Sequence, residues 1–266
     1  MTGHHLTRLF GHSCQAYEDR GRFDKLCERE NSFAPKSYML RYGDPLKSFP
    51  VLLEGWAVRY QILPDGSRQI VSLMLPGDTC HYGLSPDDVA PDEIVAVSRC
   101  RVAWVSQARF ASLMDECPAI NHAFQDYGRL TAAIQTSWII NMGRRNAVQR
   151  MAHFLCESYR RLADLTVADP VAIDFPLTQE DLADILGLTP VHVNRKLQEL
   201  RRADLILLEG KRLQLLDYQR LRQIAGFDRV YLGESRHTEA ARLFPEVPAR
   251  IPASGMEALE RQSALS

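Results

Sequence analysis

Between Leu177 and Leu200 the apolar residues recur at helical spacing in two short registers separated by a glycine. Leu182, Ala183 and Leu186 fall on one face of the first segment, and Val193, Leu197 and Leu200 on one face of the second. The pattern predicts two short helices that cross. Thr178 with Asp181 three residues on is a capping-box signature, so the first helix is told where to begin. Small Ala183 lets the second helix approach closely, and Gly187 takes the turn conformation that a side chain would oppose. Thr189 caps the second helix, and Pro190 suits its first position, where an N–H would lack an intrahelical partner anyway. Once the apolar faces are inward, Val191, His192, Asn194, Arg195 and Gln198 remain on or near the outer face. Beyond the helices, residues 205–208 and 213–216 are apolar runs around Glu209-Gly210-Lys211-Arg212, which predicts a two-stranded wing with Lys211 and Arg212 at its tip.

Earlier in the chain the period changes. Residues 37–105 carry short apolar runs at 38–40, 50–53, 56–63, 69–75, 94–97 and 101–105, broken by Pro64-Asp65-Gly66 and Pro76-Gly77-Asp78 turns. Many short strands with tight turns predict a small antiparallel roll or barrel. From Ala108 the helical period returns. The run 118–141 places Ile120, Ala123, Phe124, Tyr127, Leu130, Ala133, Ile134, Ser137 and Trp138 on one stripe. Such a helix needs a partner, either an internal core or a second copy of itself; two-fold operators favour the second, with Phe124, Tyr127, Leu130, Ile134 and Trp138 as the interface. Asn141-Met142-Gly143 reads as a break with Gly143 as the hinge, followed by a helix over 147–162. The expected organisation is α+β: a lead at 1–30, an antiparallel β-roll at 31–115, a long dimerisation helix and hinge at 116–143, a winged helix-turn-helix at 144–232, and a flexible tail at 233–266 with a short helix near 256–262.

A helix-turn-helix of this format places its second helix in the DNA major groove. Whole-chain charge adds nothing, being −1 over 266 residues. Local charge does: from Pro190 to Arg202 the basic residues Arg195, Lys196, Arg201 and Arg202 face the single acid Glu199. Candidate DNA contacts are therefore Thr178, Gln179, Thr189, Pro190, Val191, His192, Asn194, Arg195 and Lys196, with Lys211 and Arg212 meeting phosphates from the wing. With 45% hydrophobic and 24% charged residues the chain is globular, and it has no run of membrane-spanning length and no export signal, so a cytoplasmic double-stranded-DNA binder is expected. The six cysteines at 14, 27, 80, 100, 117 and 156 form no C-x-x-C pair and read as free thiols.

Strand roll, striped helix, break and winged helix-turn-helix in that order resemble the CRP/FNR family of bacterial transcription regulators. The likeness runs over about residues 30–230 and is most specific in Asn141-Met142-Gly143-Arg144-Arg145-Asn146-Ala147 and from Pro176 through Arg195. It implies a homodimer on a pseudo-palindromic promoter site, an effector felt in the roll, and contact with RNA polymerase. The departures narrow the effector. Cyclic-nucleotide binders of the family follow the Pro-Gly-Asp turn with Gly-Glu and later carry Arg-Ser for the phosphate, whereas this chain has His81-Tyr82 and Asp92-Glu93 near those places. Two carboxylates would repel a phosphate, which argues against cyclic AMP. Oxygen sensors of the family carry closely spaced N-terminal cysteines that Cys14 and Cys27 do not supply, which argues against an iron–sulfur cluster. Adjacent Cys80 and His81 would point to opposite faces of a strand and read as packing residues, not a ligand pair, and no cofactor is expected. In the reading helix, Pro190 and Val191 stand where better-known members have other residues followed by Glu, while Arg195 matches a family Arg suited to guanine. Val191 would then meet a thymine methyl, and Lys196 stands where an apolar residue is frequent.

Two rival functions bear on the same residues. A metal-dependent barrel enzyme would need two histidines and a carboxylate on neighbouring strands, and only His81 lies in the strand region; no nucleophile elbow or phosphate loop appears elsewhere, so no enzyme activity is expected. A regulator needing no effector, governed by its own abundance, would bind its operator fully without additive.

Overall fold

The computed structural model describes residues 21–80, 89–166 and 170–233. The expected tail, the residues of the lead before Gly21, Cys14 and the His81-Tyr82 pair lie outside these. Seven strands build the first half: β1 (Cys27–Phe33), β2 (Tyr38–Leu40), β3 (Ser48–Glu54), β4 (Ala57–Ile62), β5 (Arg68–Met74), β6 (Glu93–Ala96) and β7 (Cys100–Ser106). They form two antiparallel sheets, ordered β1-β7-β3 and β2-β6-β4-β5. Leu52, Ala57, Met74, Ile94, Val102 and Trp104 fill the space between them. Gly55 joins β3 to β4 at φ +89°, and a Cβ there would stand 2.2 Å from the Arg99 carbonyl oxygen, so only glycine fits.

Strand β1 begins within the stretch assigned to the lead at 1–30 and runs on to Phe33. Its Cys-Glu-Arg-Glu-Asn-Ser-Phe sequence is almost wholly exposed and shows no apolar alternation. Main-chain pairing with β7, from Cys27 opposite Val105 to Phe33 opposite Cys100, makes it a strand at a sheet edge where side chains carry no burial signal.

Helix α1 (Gln107–Glu116) and the 27-residue α2 (Pro118–Arg144) follow. Phe49, Phe110 and Phe124 lock both helices to the outer face of the β1-β7-β3 sheet, with ring centroids 5.1 Å (Phe49–Phe110) and 4.4 Å (Phe110–Phe124) apart. The expected break at 141–143 is absent, because Gly143 keeps the helical conformation and α2 runs on to Arg144. The chain turns at Arg145 (φ −82°, ψ 144°), and Asn146 then starts α3 (Ala147–Ala163), its side chain accepting from the Val148 and Gln149 N–H groups in a capping box.

The second half contains β8 (Ile173–Asp174), α4 (Gln179–Leu186), α5 (Pro190–Arg202), β9 (Ile206–Glu209), β10 (Arg212–Leu215) and α6 (Tyr218–Ala225), with a sheet ordered β8-β10-β9. Its core is continuous with the roll: Trp56, Tyr60, Ile70 and Leu73 from β4, β5 and their flanks belong to the same apolar cluster as Trp138, Phe154, Phe175 and Ile185. Trp56 meets Phe175 edge-on at 5.6 Å. A buried polar knot reinforces the seam. Arg161 on α3 pairs with Asp78 of the Pro-Gly-Asp turn at 2.6 Å, donates to the Leu73 carbonyl at 3.0 Å and lies 3.6 Å from Glu157. Glu157 also accepts from Trp138 Nε1 at 2.9 Å and from the Tyr231 hydroxyl at 2.7 Å. Burial works against the Arg161 charge, but Asp78 and Glu157 more than offset it and hold the guanidinium above its ordinary pKa.

Candidate nucleic-acid interface

Local chemistry positions the two crossing helices. Thr178 Oγ1 accepts from the Asp181 N–H at 3.1 Å while the Thr178 N–H donates to Asp181 Oδ2 at 3.0 Å, so α4 begins where two free amides are satisfied. It ends at Gly187, which adopts φ +60°, ψ +45°, and the Leu188 N–H returns to the Ala183 carbonyl at 3.1 Å. A Cβ at Gly187 would stand 3.1 Å from Met142 Cε at the end of α2, a flexible methyl that can yield, so it is the left-handed backbone and not space that selects glycine. Thr189 Oγ1 accepts from the His192 N–H at 3.3 Å, and Pro190 occupies the first turn of α5. Val193, Leu197 and Leu200 are buried, and with Leu182, Ala183 and Leu186 they belong to the shared core.

The opposite face of α5 is open. Val191 is 78% exposed, a large apolar surface with no partner in its own fold, and His192, Asn194 and Arg195 lie exposed beside it. Thr178, Gln179, Thr189 and Pro190 are exposed on the same hairpin. Lys196 is half-buried and pairs at 2.7 Å with the exposed Glu199, a weak partner that a phosphate can displace. In the wing, Gly210 and Lys211 both take positive φ, 54° and 64°, giving the two-residue turn whose twist matches the flanking strands. Lys211 stands exposed at the tip. Arg212, also exposed, leans back to Asp174 at 3.1 Å, an exposed pair that a phosphate can compete with. Arg201 ties α5 to the wing by donating to the Leu208 carbonyl at 2.6 Å.

The stripe on α2 divides. Phe124 and Trp138 are packed inside their own chain, against Phe110 and Phe154 respectively, and the Tyr127 hydroxyl bonds to both main-chain groups of Thr79, at 2.9 and 3.2 Å. Leu130 and Ile134 are half-buried beside the roll. The large apolar residues that α2 leaves open are Ile139 (72% exposed), Ile140 and Met142, which the stripe omitted.

Where the roll faces α2 there is a cavity of about 20 Å³, lined by Arg59, Met74, Asp78, Cys80, Tyr127 and Trp138 among others. That is room for about one water molecule. Asp92 is buried and engaged by Arg59 and by Gln61 Nε2 at 2.9 Å. Cys27, Cys80, Cys100, Cys117 and Cys156 are unbridged, and burial raises the thiol pKa of Cys100 to about 11. Among the described residues no three His, Cys, Asp or Glu side chains gather as a metal site, and no helix is long and apolar enough to cross a membrane.

The knot around Arg161 and the contacts of the β4–β5 hairpin were not visible in the sequence. Asp78 and Arg161 are separated by 83 positions, and neither periodicity nor local charge links them.

A Crp-like helix-turn-helix domain profile matches residues 149–224, and a cyclic nucleotide-binding domain profile matches residues 30–117. The chain is 33% identical over 183 residues to the nitrogen fixation regulation protein FixK of Bradyrhizobium diazoefficiens, covering 68% of this chain and 76% of FixK. It is 30% identical over 190 residues to the transcriptional activator protein FnrL of Cereibacter sphaeroides, covering 70% of this chain and 76% of FnrL. The solved structure of FixK2 from Bradyrhizobium japonicum has the same fold, with a TM-score of 0.67 and 23% identity over 75% of this chain and 98% of that one.

Proposed function

Given that the chain belongs to the CRP/FNR family of DNA-binding transcription regulators, we propose that it binds a pseudo-palindromic promoter site as a homodimer, with α5 reading base edges in successive major grooves. Its relatives are regulators and not enzymes. One observation carries the reading: a doubly capped helical hairpin buries one face completely and leaves Val191, His192, Asn194 and Arg195 open on the other. Arg195 takes guanine O6 and N7, Val191 a thymine methyl, and His192 or Asn194 an adjacent edge or phosphate. Thr178, Gln179, Thr189, Pro190 and Lys211 position the duplex through its backbone, joined by Lys196 and Arg212 once their intrachain carboxylate partners yield. The exposed Ile139, Ile140 and Met142, continuing the half-buried Leu130 and Ile134, supply the apolar seam between two copies of α2. Such a protein works in the cytoplasm and meets RNA polymerase at the promoter. Selection of duplexes from a random pool by the purified chain tests this: two inverted half-sites spaced by about one helical turn are expected, and recovery of a single unpaired motif or of no motif contradicts it.

The signal is other than cyclic AMP. By the family resemblance Asp92 and Glu93 fall near the place where cyclic-nucleotide binders carry Arg-Ser for the phosphate, and Arg59 is paired with Asp92. A second reading is control by abundance without an effector: among the described residues the space where the roll faces α2 is only about 20 Å³, although a wider pocket opens on the roll beside Arg29, Met39, Leu46 and Trp104. Operator binding by additive-free protein that no small molecule from a host extract strengthens supports it; strengthening by an extract fraction supports a ligand.

A further inference from the structure

The β4–β5 hairpin reaches out of the roll and grips the first helix of the helix-turn-helix. Arg68, the first residue of β5, spans two carboxylates on α4: Nε donates to Asp184 Oδ2 at 2.6 Å and Nη2 to Asp181 Oδ1 at 2.8 Å. Gln69 adds a further strut, its Nε2 donating to the Asp184 main-chain oxygen at 2.6 Å. The Tyr60 ring on β4 lies 5.2 Å from the same guanidinium and helps fix its plane. Asp181 and Asp184 are three positions apart, so both project from one face of α4, and the planar fork of an arginine matches two such acceptors where a lysine would meet one. Side-chain exposures of 30% for Arg68, 14% for Asp181 and 27% for Asp184 keep the contact partly dry, so solvent screens it less than an open surface pair. Burial opposes the Arg68 charge, and the two aspartates outweigh it.

Helix α4 is the platform across which α5 is held, by Leu182 and Ala183 against Val193 and Leu197 in one core. Anything that sets the angle of α4 on the roll therefore sets the angle at which α5 is offered to DNA. We infer that Arg68 is a positioning residue for DNA binding: by clamping Asp181 and Asp184 it makes the presentation of α5 depend on the position of the β4–β5 hairpin, a route from roll to reading helix that does not pass along α2. The inference rests on the DNA-binding reading above.

The test uses the full chain and the operator recovered by selection, with affinity measured by fluorescence anisotropy across a salt series. Arg68→Ala is expected to lower operator affinity by about tenfold and Asp184→Asn by less, since Asp181 still holds the guanidinium, and the double variant to fall no further than Arg68→Ala, because the Asp184 carboxylate acts through Arg68. Arg68→Lys, which keeps the charge and loses the fork, is expected in between. The slope of log affinity against log salt is expected to match wild type, since the clamp touches no phosphate, whereas Lys211→Ala, which removes one phosphate contact from each of two subunits, lowers it by roughly 1.8. Melting curves confirm that the variants are folded at the assay temperature. Four results overturn the inference: affinity within about twofold of wild type for folded Arg68→Ala, losses that multiply in the double variant, a salt slope reduced by about two in Arg68→Ala, or recovery of affinity when Asp184→Asn is added to Arg68→Ala. The third would make Arg68 a phosphate contact, and the last a mere canceller of charge. Wild-type protein that selects no DNA at all would overturn the DNA-binding reading and the clamp's purpose with it, a failure distinct from the four.

Discussion

His153 lies inside α3 between the Phe227 and Tyr231 rings, and burial, helped by the nearby Arg145 charge, drives its pKa down to about 3. The folded chain therefore keeps this imidazole neutral, while the unfolded chain protonates it near its ordinary 6.5. Below that value the unfolded state binds the extra proton, so stability is full above about pH 6.5 and falls as pH drops towards 3, by at most about 1.4 kcal/mol per unit. Urea unfolding at pH 7 and pH 5 is expected to show a larger acid loss for wild type than for His153→Gln. Equal losses would mean that the imidazole is not held neutral. Single residues were legible in the sequence where their role is local: Thr178, Gly187, Thr189 and Pro190 all act within four positions of themselves. Arg68 and Arg161 were not, because their carboxylate partners arrive from another domain.

Elements were legible in proportion to how much apolar surface they bury. Helices α4 and α5 announce themselves twice, through periodicity and through caps, and both registers hold in the structure. The edge strand β1 buries almost nothing and exists through main-chain pairing, so its polar sequence gave no sign of it. Gly143 marked the hinge two positions early, since a single glycine weakens a helix without stopping it, and the stop comes from the extended Arg145 and the capping Asn146. The caps are also where α4 is open to test. Thr178→Ala removes the acceptor for the Asp181 N–H and is expected to cost about 1 kcal/mol of stability in chemical unfolding, with Thr178→Ser largely restoring it.

At the level of the whole molecule, periodicity showed that α2 has an apolar stripe, but not what would cover it. The chain uses Phe124 and Trp138 to join α2 to its own roll and its own DNA-binding half, and it leaves Ile139, Ile140 and Met142 open a fraction of a turn away. A charge placed on that open edge is expected to separate the subunits without unfolding them. Sedimentation of Ile139→Glu should show monomer where wild type shows dimer, with an unchanged melting profile for the monomer fold. Operator affinity should fall with it, because each half-site is then bound alone. An Ile139→Glu variant that remains dimeric would place the seam elsewhere on α2.

Base reading through the open face of α5 is the central proposal. The most direct measurement is the ratio of operator to random-duplex affinity for wild type and Arg195→Ala at one salt concentration. A drop in that ratio equivalent to about 1–3 kcal/mol for each half-site, with relaxed choice at a single base pair of each, is the predicted result. An Arg195→Ala protein that keeps the full ratio, losing affinity equally for both duplexes or not at all, would contradict it.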